Sequence, residues 1–200
     1  MIGTLFLWCF WPSFVAVMAG EKTSNALMVT YLSIASSCLV TFSLCMILYD
    51  GKLNMVAIQN STLAGGVAIG AVANLSITPQ CAILIGMLAG ALSVYGYKFI
   101  TPFLDARFGL KDTCGIHNLH GMPGVFGGIS SIMICALNPV VAGPVMPQVL
   151  GLLSTLVMAM GGGFVTGKLL GAMDSLEVFY DDSAEFTVED AGQEHTKLLP

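Results

Sequence analysis

Long apolar runs alternate with short polar breaks along the chain as far as Met173. A helix needs about 20 apolar residues to cross a bilayer, and lipid offers no partner to unpaired backbone groups. The pattern therefore predicts an all-α fold, a polytopic transmembrane helix bundle of about six spans that occupies residues 1–173 as one domain. The runs are about Met1–Ala19, Asn25–Tyr49, Met55–Leu75, Gln80–Phe103, Ile116–Leu137 and Pro147–Met173.

Composition supports a membrane protein and sets the end of the chain apart. Of the 200 residues, 56% are hydrophobic and 10% charged, whereas a soluble domain has about 25% charged residues. The formal net charge of -5 arises mostly beyond Met173, and nucleic-acid binding has no support. Residues 174–200 are predicted to form an acidic, disordered tail. Its acidic residues are Asp174, Glu177, Asp181, Asp182, Glu185, Glu189, Asp190 and Glu194.

The positions of lysine and arginine orient the predicted helices. With six crossings, most basic residues fall on the side of the tail, and only Lys22 falls on the other side. The positive-inside rule makes the tail side cytoplasmic. We therefore predict a multi-pass protein whose C-terminus is cytoplasmic. The basic residues on that side are Lys52, Lys98, Arg107, Lys111 and Lys168.

Glycine recurs at a spacing of four residues in four of the predicted helices. Small residues at this spacing let helix backbones approach closely in a membrane. We expect tight helix contacts at these positions, which are Gly66 and Gly70, Gly86 and Gly90, Gly124 and Gly128, and Gly163, Gly167 and Gly171.

Two histidines, His117 and His120, stand at the start of an apolar stretch with no charged residue from Thr113 until Lys168. An ionisable side chain within a membrane segment is by default a sign of a transport path. A zinc site would want three or four ligands, and the only other histidine is His195, so no metal is expected. Asp112 precedes both histidines and is expected to cap their helix.

A path lined by histidine favours a solute that can shed its charge. Moving a bare cation into a medium of low dielectric costs on the order of tens of kcal/mol, whereas a small neutral amine or gas costs only a few. Neutral imidazole offers one donor and one acceptor, enough to hold ammonia or water. Because residues three apart point to one broad face of a helix, at least one of His117 and His120 is expected to line such a path.

The first run contains an aromatic cluster, in which Trp8, Phe10, Trp11 and Phe14 surround Pro12. Aromatic residues near a membrane interface usually act as anchors. The alternative is a collar of rings that attracts ammonium by cation–π interaction and a phenyl gate that forces it to lose its water. The residues alone leave both interpretations open.

Three motifs taken together resemble the Rh glycoproteins of the ammonium transporter superfamily. They are DTCGIHNLHGMPGVFGG, IQNSTLAGGVAIG and MIGTLFLWCFWPSF, and they stand in the family's order. The resemblance implies a plasma-membrane trimer, of identical or related subunits, whose pores conduct ammonia past paired histidines. It implies that His120 is the second pore histidine, that Phe14 is a gate phenylalanine and that Trp11 is an aromatic residue nearby. No cofactor and no enzymatic activity are implied.

The resemblance covers only the second half of a family member. The first pore histidine and the other gate phenylalanine have no counterpart here, and Val15 stands where the family usually has asparagine. We therefore expect an incomplete subunit that does not conduct alone. Two alternatives to ammonium transport remain, namely passage of carbon dioxide and a non-conducting role. In the latter, the chain would assemble with full-length subunits or the cytoskeleton through its acidic tail.

Overall fold

The computed structural model describes residues 1–173, and the predicted acidic tail at residues 174–200 lies outside the described residues. The described chain contains helices and no strand. The α-helices are α1 Ile2–Ala16, α2 Thr23–Leu48, α3 Met55–Ser61, α4 Ala64–Ile69, α5 Pro79–Tyr95, α6 Thr101–Phe108, α7 Met122–Leu137, α8 Pro139–Ala142 and α9 Val145–Gly171. A short 3₁₀-helix, Gly20–Lys22, precedes α2. Two π-helical turns also occur: the first π-turn, Gly96–Ile100, and the second π-turn, His117–Gly121.

The prediction of an all-α transmembrane bundle is confirmed. By length and composition, four continuous helical segments within residues 1–173 can cross a membrane. They are Gly20–Leu48, Pro79–Phe108, His117–Leu137 and Val145–Gly171. The other two predicted runs form shorter apolar helical segments, Ile2–Ala16 and Met55–Ile69.

The third run is interrupted between α3 and α4. The hydroxyl of Thr62 donates a hydrogen bond of 2.6 Å to the carbonyl oxygen of Ile58, one turn earlier. Such a bond from threonine to its own helix tends to bend the helix. The bend lies where α3 ends at Ser61 and α4 begins at Ala64.

Helix α2 packs closely on α5 through glycine and serine. A Cβ atom added to Gly90 would lie 2.7 Å from the Ser37 hydroxyl oxygen, and one added to Gly86 would meet the backbone of Ser33. The close approach predicted for these two glycines is confirmed. Gly65 makes a similar contact with Ser33 and Ser37, which its sequence spacing did not indicate.

Hydrogen bonds from buried serines join the same helices. The hydroxyl of Ser33 donates to the carbonyl of Gly65, and that of Ser37 donates to the carbonyl of Ser61, both at 2.8 Å. The hydroxyl of Ser93 on α5 donates to that of Ser61 at 2.9 Å. These bonds fix α2 and α5 against the segment that holds α3 and α4.

The other glycines predicted to lie at helix contacts differ in what they touch. Gly66 lies against the indole of Trp11, and Gly128 lies against the side chain of Leu152. No described atom comes within 4 Å of a Cβ built at Gly163, Gly167 or Gly171. Those three glycines lie in the segment after Leu156, and close backbone contact at them remains a prediction.

The chain divides into two compact units, Met1–Leu156 and a second unit that begins at Val157. The described part of the second unit is the end of α9 and the residues up to Met173. The predicted division between a membrane domain and a tail after Met173 remains a prediction.

Replacing Gly86 with alanine should destabilise the protein, because the added methyl group meets the Ser33 backbone, and overpacking costs about 1–3 kcal/mol. Gly151→Ala is the matched control, since Gly151 is helical and no described atom lies near it. The control should gain about 0.5–1 kcal/mol from helix propensity. Loss of the helical circular dichroism signal on heating in detergent measures both. Equal midpoints for the two variants would contradict the glycine contact.

Candidate functional site

The histidine cavity lies between α1, α4 and the second π-turn and has a volume of about 630 Å³. Its lining residues are Leu7, Phe10, Trp11, Phe14, Val15, Gly66, Val67, Gly70, Leu119 and His120. Among them His120 alone can ionise. The cavity therefore offers one imidazole in a wall that is otherwise apolar or aromatic.

Three of the four predicted site residues meet at this cavity. The ring of Trp11 lies roughly parallel to that of His120, with centroids 6.2 Å apart and planes 19° apart. The rings of Trp11 and Phe14 meet edge to face at 6.3 Å and 73°. The structure thus brings Trp11, Phe14 and His120 together.

The imidazole of His120 is exposed on the wall of this cavity. Among the described residues, no hydrogen bond joins its side chain to another group. A polar group within a membrane normally pairs with protein or lines a water-filled space. The imidazole is consequently free to bind a solute in the cavity.

Hydrogen bonds to α3 hold α1 in place beneath the cavity. The indole nitrogen of Trp8 donates to the Thr62 hydroxyl at 3.2 Å, and the Thr4 hydroxyl donates to the carbonyl of Gln59 at 3.2 Å. Trp8 thus bonds within the protein. On the opposite wall, Gly66 lacks a side chain where a Cβ atom would meet the indole of Trp11.

The second π-turn positions the two histidines. The carbonyl oxygen of His117 accepts a hydrogen bond from the N–H of Met122, five residues later, whereas in an α-helix the donor is four residues later. The carboxylate of Asp112 accepts the N–H groups of Ile116 and His117 at 2.9 and 2.8 Å. The predicted capping role of Asp112 is therefore confirmed.

The structure separates His117 from the other predicted site residues. His117 lines a second cavity of about 580 Å³, together with residues from the first π-turn, α6, the loop after it and α7. These are Ile100, Thr101, Leu104, Leu110, Lys111, Asp112 and Met122. A regular α-helix would place residues three apart on one face, but this segment is a π-turn. A role for His117 in binding solute remains a prediction.

Sequence reasoning missed several contributors to the histidine cavity. Gly66 was noted only for helix packing, although its place within the motif IQNSTLAGGVAIG could have drawn attention to it. Val67 and Leu119 gave no signal, because an apolar residue in an apolar run looks the same on a cavity wall as in a core. Within residues 1–173, no group of three or more side chains could hold a metal ion.

Comparison with known proteins shows which family this chain resembles. The family model described as Ammonium Transporter Family matches residues 1–193. Ammonium transporter Rh type A of Bos taurus is 45% identical over 195 residues, which cover 94% of this chain and 46% of the relative. Ammonium transporter Rh type B of Homo sapiens is 42% identical over 193 residues, with coverage of 85% and 42%. The chain spans about half the length of the curated relatives it matches.

Solved structures agree with the sequence relatives. The structure described as "Nitrosomonas europaea Rh50 and mechanism of conduction by Rhesus protein family of channels" has a TM-score of 0.82 and 39% identity. It matches 98% of this chain and 50% of its own chain. A structure described as "Sensor Amt Protein" has a TM-score of 0.71 at 22% identity, which shows the fold alone. This chain belongs to the ammonium transporter family.

Proposed function

We propose that this chain takes part in ammonium transport and that neutral ammonia crosses the membrane through the histidine cavity. The observation that carries the proposal is the unpartnered imidazole of His120 on an apolar wall. The printed names of the relatives, ammonium transporters of Rh type A and type B, support the same solute. Membership in a transporter family also agrees with the prediction that the chain is not an enzyme.

The cavity favours ammonia over ammonium for a physical reason. A bare cation in an apolar medium costs on the order of tens of kcal/mol, and a small neutral amine costs only a few. The rings of Trp11 and Phe14 attract ammonium at the entrance by cation–π interaction. The cation then gives its proton to water before it enters. Inside, the imidazole of His120 exchanges one hydrogen bond with the ammonia molecule.

The described residues form only one side of this path. Phe14 is 73% exposed and Phe10 is 62% exposed, although both line the cavity. We propose that further protein supplies the other side and that the working assembly is a trimer of identical or related subunits. We also propose that it lies in the plasma membrane among lipid, with the C-terminus cytoplasmic.

His120→Glu should abolish uptake of methylammonium, because a carboxylate introduces a formal charge into the apolar path. His120→Gln is the matched variant, since it is neutral and keeps one donor group and one acceptor. It should retain measurable uptake. Uptake is compared in a preparation in which the unsubstituted protein conducts. Normal uptake by His120→Glu would refute the assignment of His120.

Liposomes that carry the 200-residue chain alone should admit ammonia no faster than empty liposomes. The open side of the cavity would expose the solute to lipid. Stopped-flow measurement of the internal pH after addition of an ammonium salt gives the rate. Faster alkalinisation than in empty liposomes would show that this chain encloses a path without further protein.

Carbon dioxide is a second candidate solute, because an apolar wall admits a small neutral gas. A flux assay with both solutes separates the two proposals. If they share the histidine cavity, excess carbon dioxide slows ammonia uptake and His120→Glu reduces both fluxes. Carbon dioxide flux that is insensitive to His120→Glu would count against this candidate. The non-conducting alternative relies on the acidic tail, which lies outside the described residues and stays a prediction.

A further inference from the structure

Asn118 lies between the two histidines and is fully buried, with 0% of its surface exposed. Its side-chain nitrogen donates a hydrogen bond of 2.6 Å to the hydroxyl oxygen of Thr101. Its side-chain oxygen has no partner among the described residues. A buried amide that is half satisfied lowers stability, which points to a role for this residue beyond packing.

Asn118 sits where the two π-turns meet. In the first π-turn the N–H of Thr101 donates to the carbonyl of Gly96, and in the second the N–H of Met122 donates to that of His117. A Cβ atom on Gly96 would lie 2.5 Å from the side-chain oxygen of Asn118 and would also meet Met122. The absent side chain of Gly96 thus makes room for the amide. The bond from Asn118 to Thr101 links the two turns.

A π-turn contains an extra residue relative to an α-helical turn and is found mostly as an isolated turn, often at a functional site. Rewinding the second π-turn as α-helix would rotate the residues before Met122 about the helix axis. His120 lies in that segment, two residues after Asn118. Its direction toward Trp11 therefore depends on the π-turn being kept.

We propose that Asn118, bonded to Thr101, is a positioning residue that maintains the second π-turn and thereby directs His120 into the histidine cavity. Only the reason why His120 should point into the cavity rests on the proposed function. The placement of His120 against Trp11 can be measured without transport.

The experiment uses the fluorescence of Trp11 as a reporter. The chain has two tryptophans, so Trp8→Phe leaves Trp11 alone. Because this change also removes the bond from Trp8 to Thr62, the titration is first recorded in the Trp8→Phe background itself, and a background without a quenching step would overturn the placement of His120 against Trp11. A protonated imidazole near an indole quenches its fluorescence, and His120 is the ionisable residue among those described around the cavity. Acidification of the full chain in detergent micelles should therefore reduce the emission in one step. His120→Gln in the same background should remove that step, which assigns it to His120.

Two substitutions at Thr101 form the decisive pair. Thr101→Val keeps the size of the side chain but loses the hydroxyl group, whereas Thr101→Ser keeps the hydroxyl group. We expect Thr101→Val to lose or shift the quenching step and Thr101→Ser to retain it. Asn118→Leu should behave like Thr101→Val. Identical titrations for Thr101→Val and Thr101→Ser would overturn the inference.

Circular dichroism of each variant separates positioning from folding. If Asn118→Leu does not fold, Thr101→Val still decides the question. Loss of helicity in Thr101→Val as well would show that the bond supports the whole fold, and this would also overturn the inference. Methylammonium uptake by the same variants tests the proposed function independently. Suppose that Thr101→Val changes the titration but that no form takes up methylammonium, not even the unsubstituted protein. This result would count against the proposed transport and leave the role of Asn118 intact.

Discussion

The constraint on which the structure depends is that lipid offers no partner to a polar group, so the protein must supply one. The serines of α2 meet this constraint by donating to carbonyl groups of the segment Met55–Ile69, as Ser33 does to Gly65 and Ser37 to Ser61. Glycine makes these contacts possible, because a side chain at Gly65 would meet Ser33. Hydrogen bonding and close packing therefore fix the same helices in the same positions.

These contacts also place one wall of the histidine cavity. Helix α4, which begins beside Ser61, contributes Gly66 and Val67 to that wall. Gly66 accommodates the indole of Trp11, and the bond from Trp8 to Thr62 ties α1 to the same segment. A loss of packing between α2 and α4 would thus move the wall of the cavity relative to its aromatic rings.

The sequence predicted the helices well because bilayer thickness sets the length of an apolar run, whatever the neighbouring helices are. It did not predict the break at Thr62, where a side-chain hydrogen bond to Ile58 accompanies the interruption. It also placed His117 and His120 on one face, because spacing assumes a regular α-helix. The π-turn that separates them accompanies a contact between Asn118 and Thr101, seventeen residues apart, which no local pattern shows. The residues alone pointed to both histidines and to the aromatic cluster, and the family resemblance singled out His120, Phe14 and Trp11.

The same constraint bears on His120. Ser33 and Ser37 bond to carbonyl groups of the neighbouring segment, and Asn118 bonds to Thr101. His120 instead faces an apolar cavity with no partner among the described residues. His120 is exposed among the described residues, and burying it without a partner in a closed cavity would be unfavourable, so something would have to offset that cost. A small solute that donates and accepts hydrogen bonds does so without adding charge, and ammonia has both capacities. We therefore propose that the unmet hydrogen-bonding capacity of one imidazole, set among aromatic rings, favours a neutral polar solute.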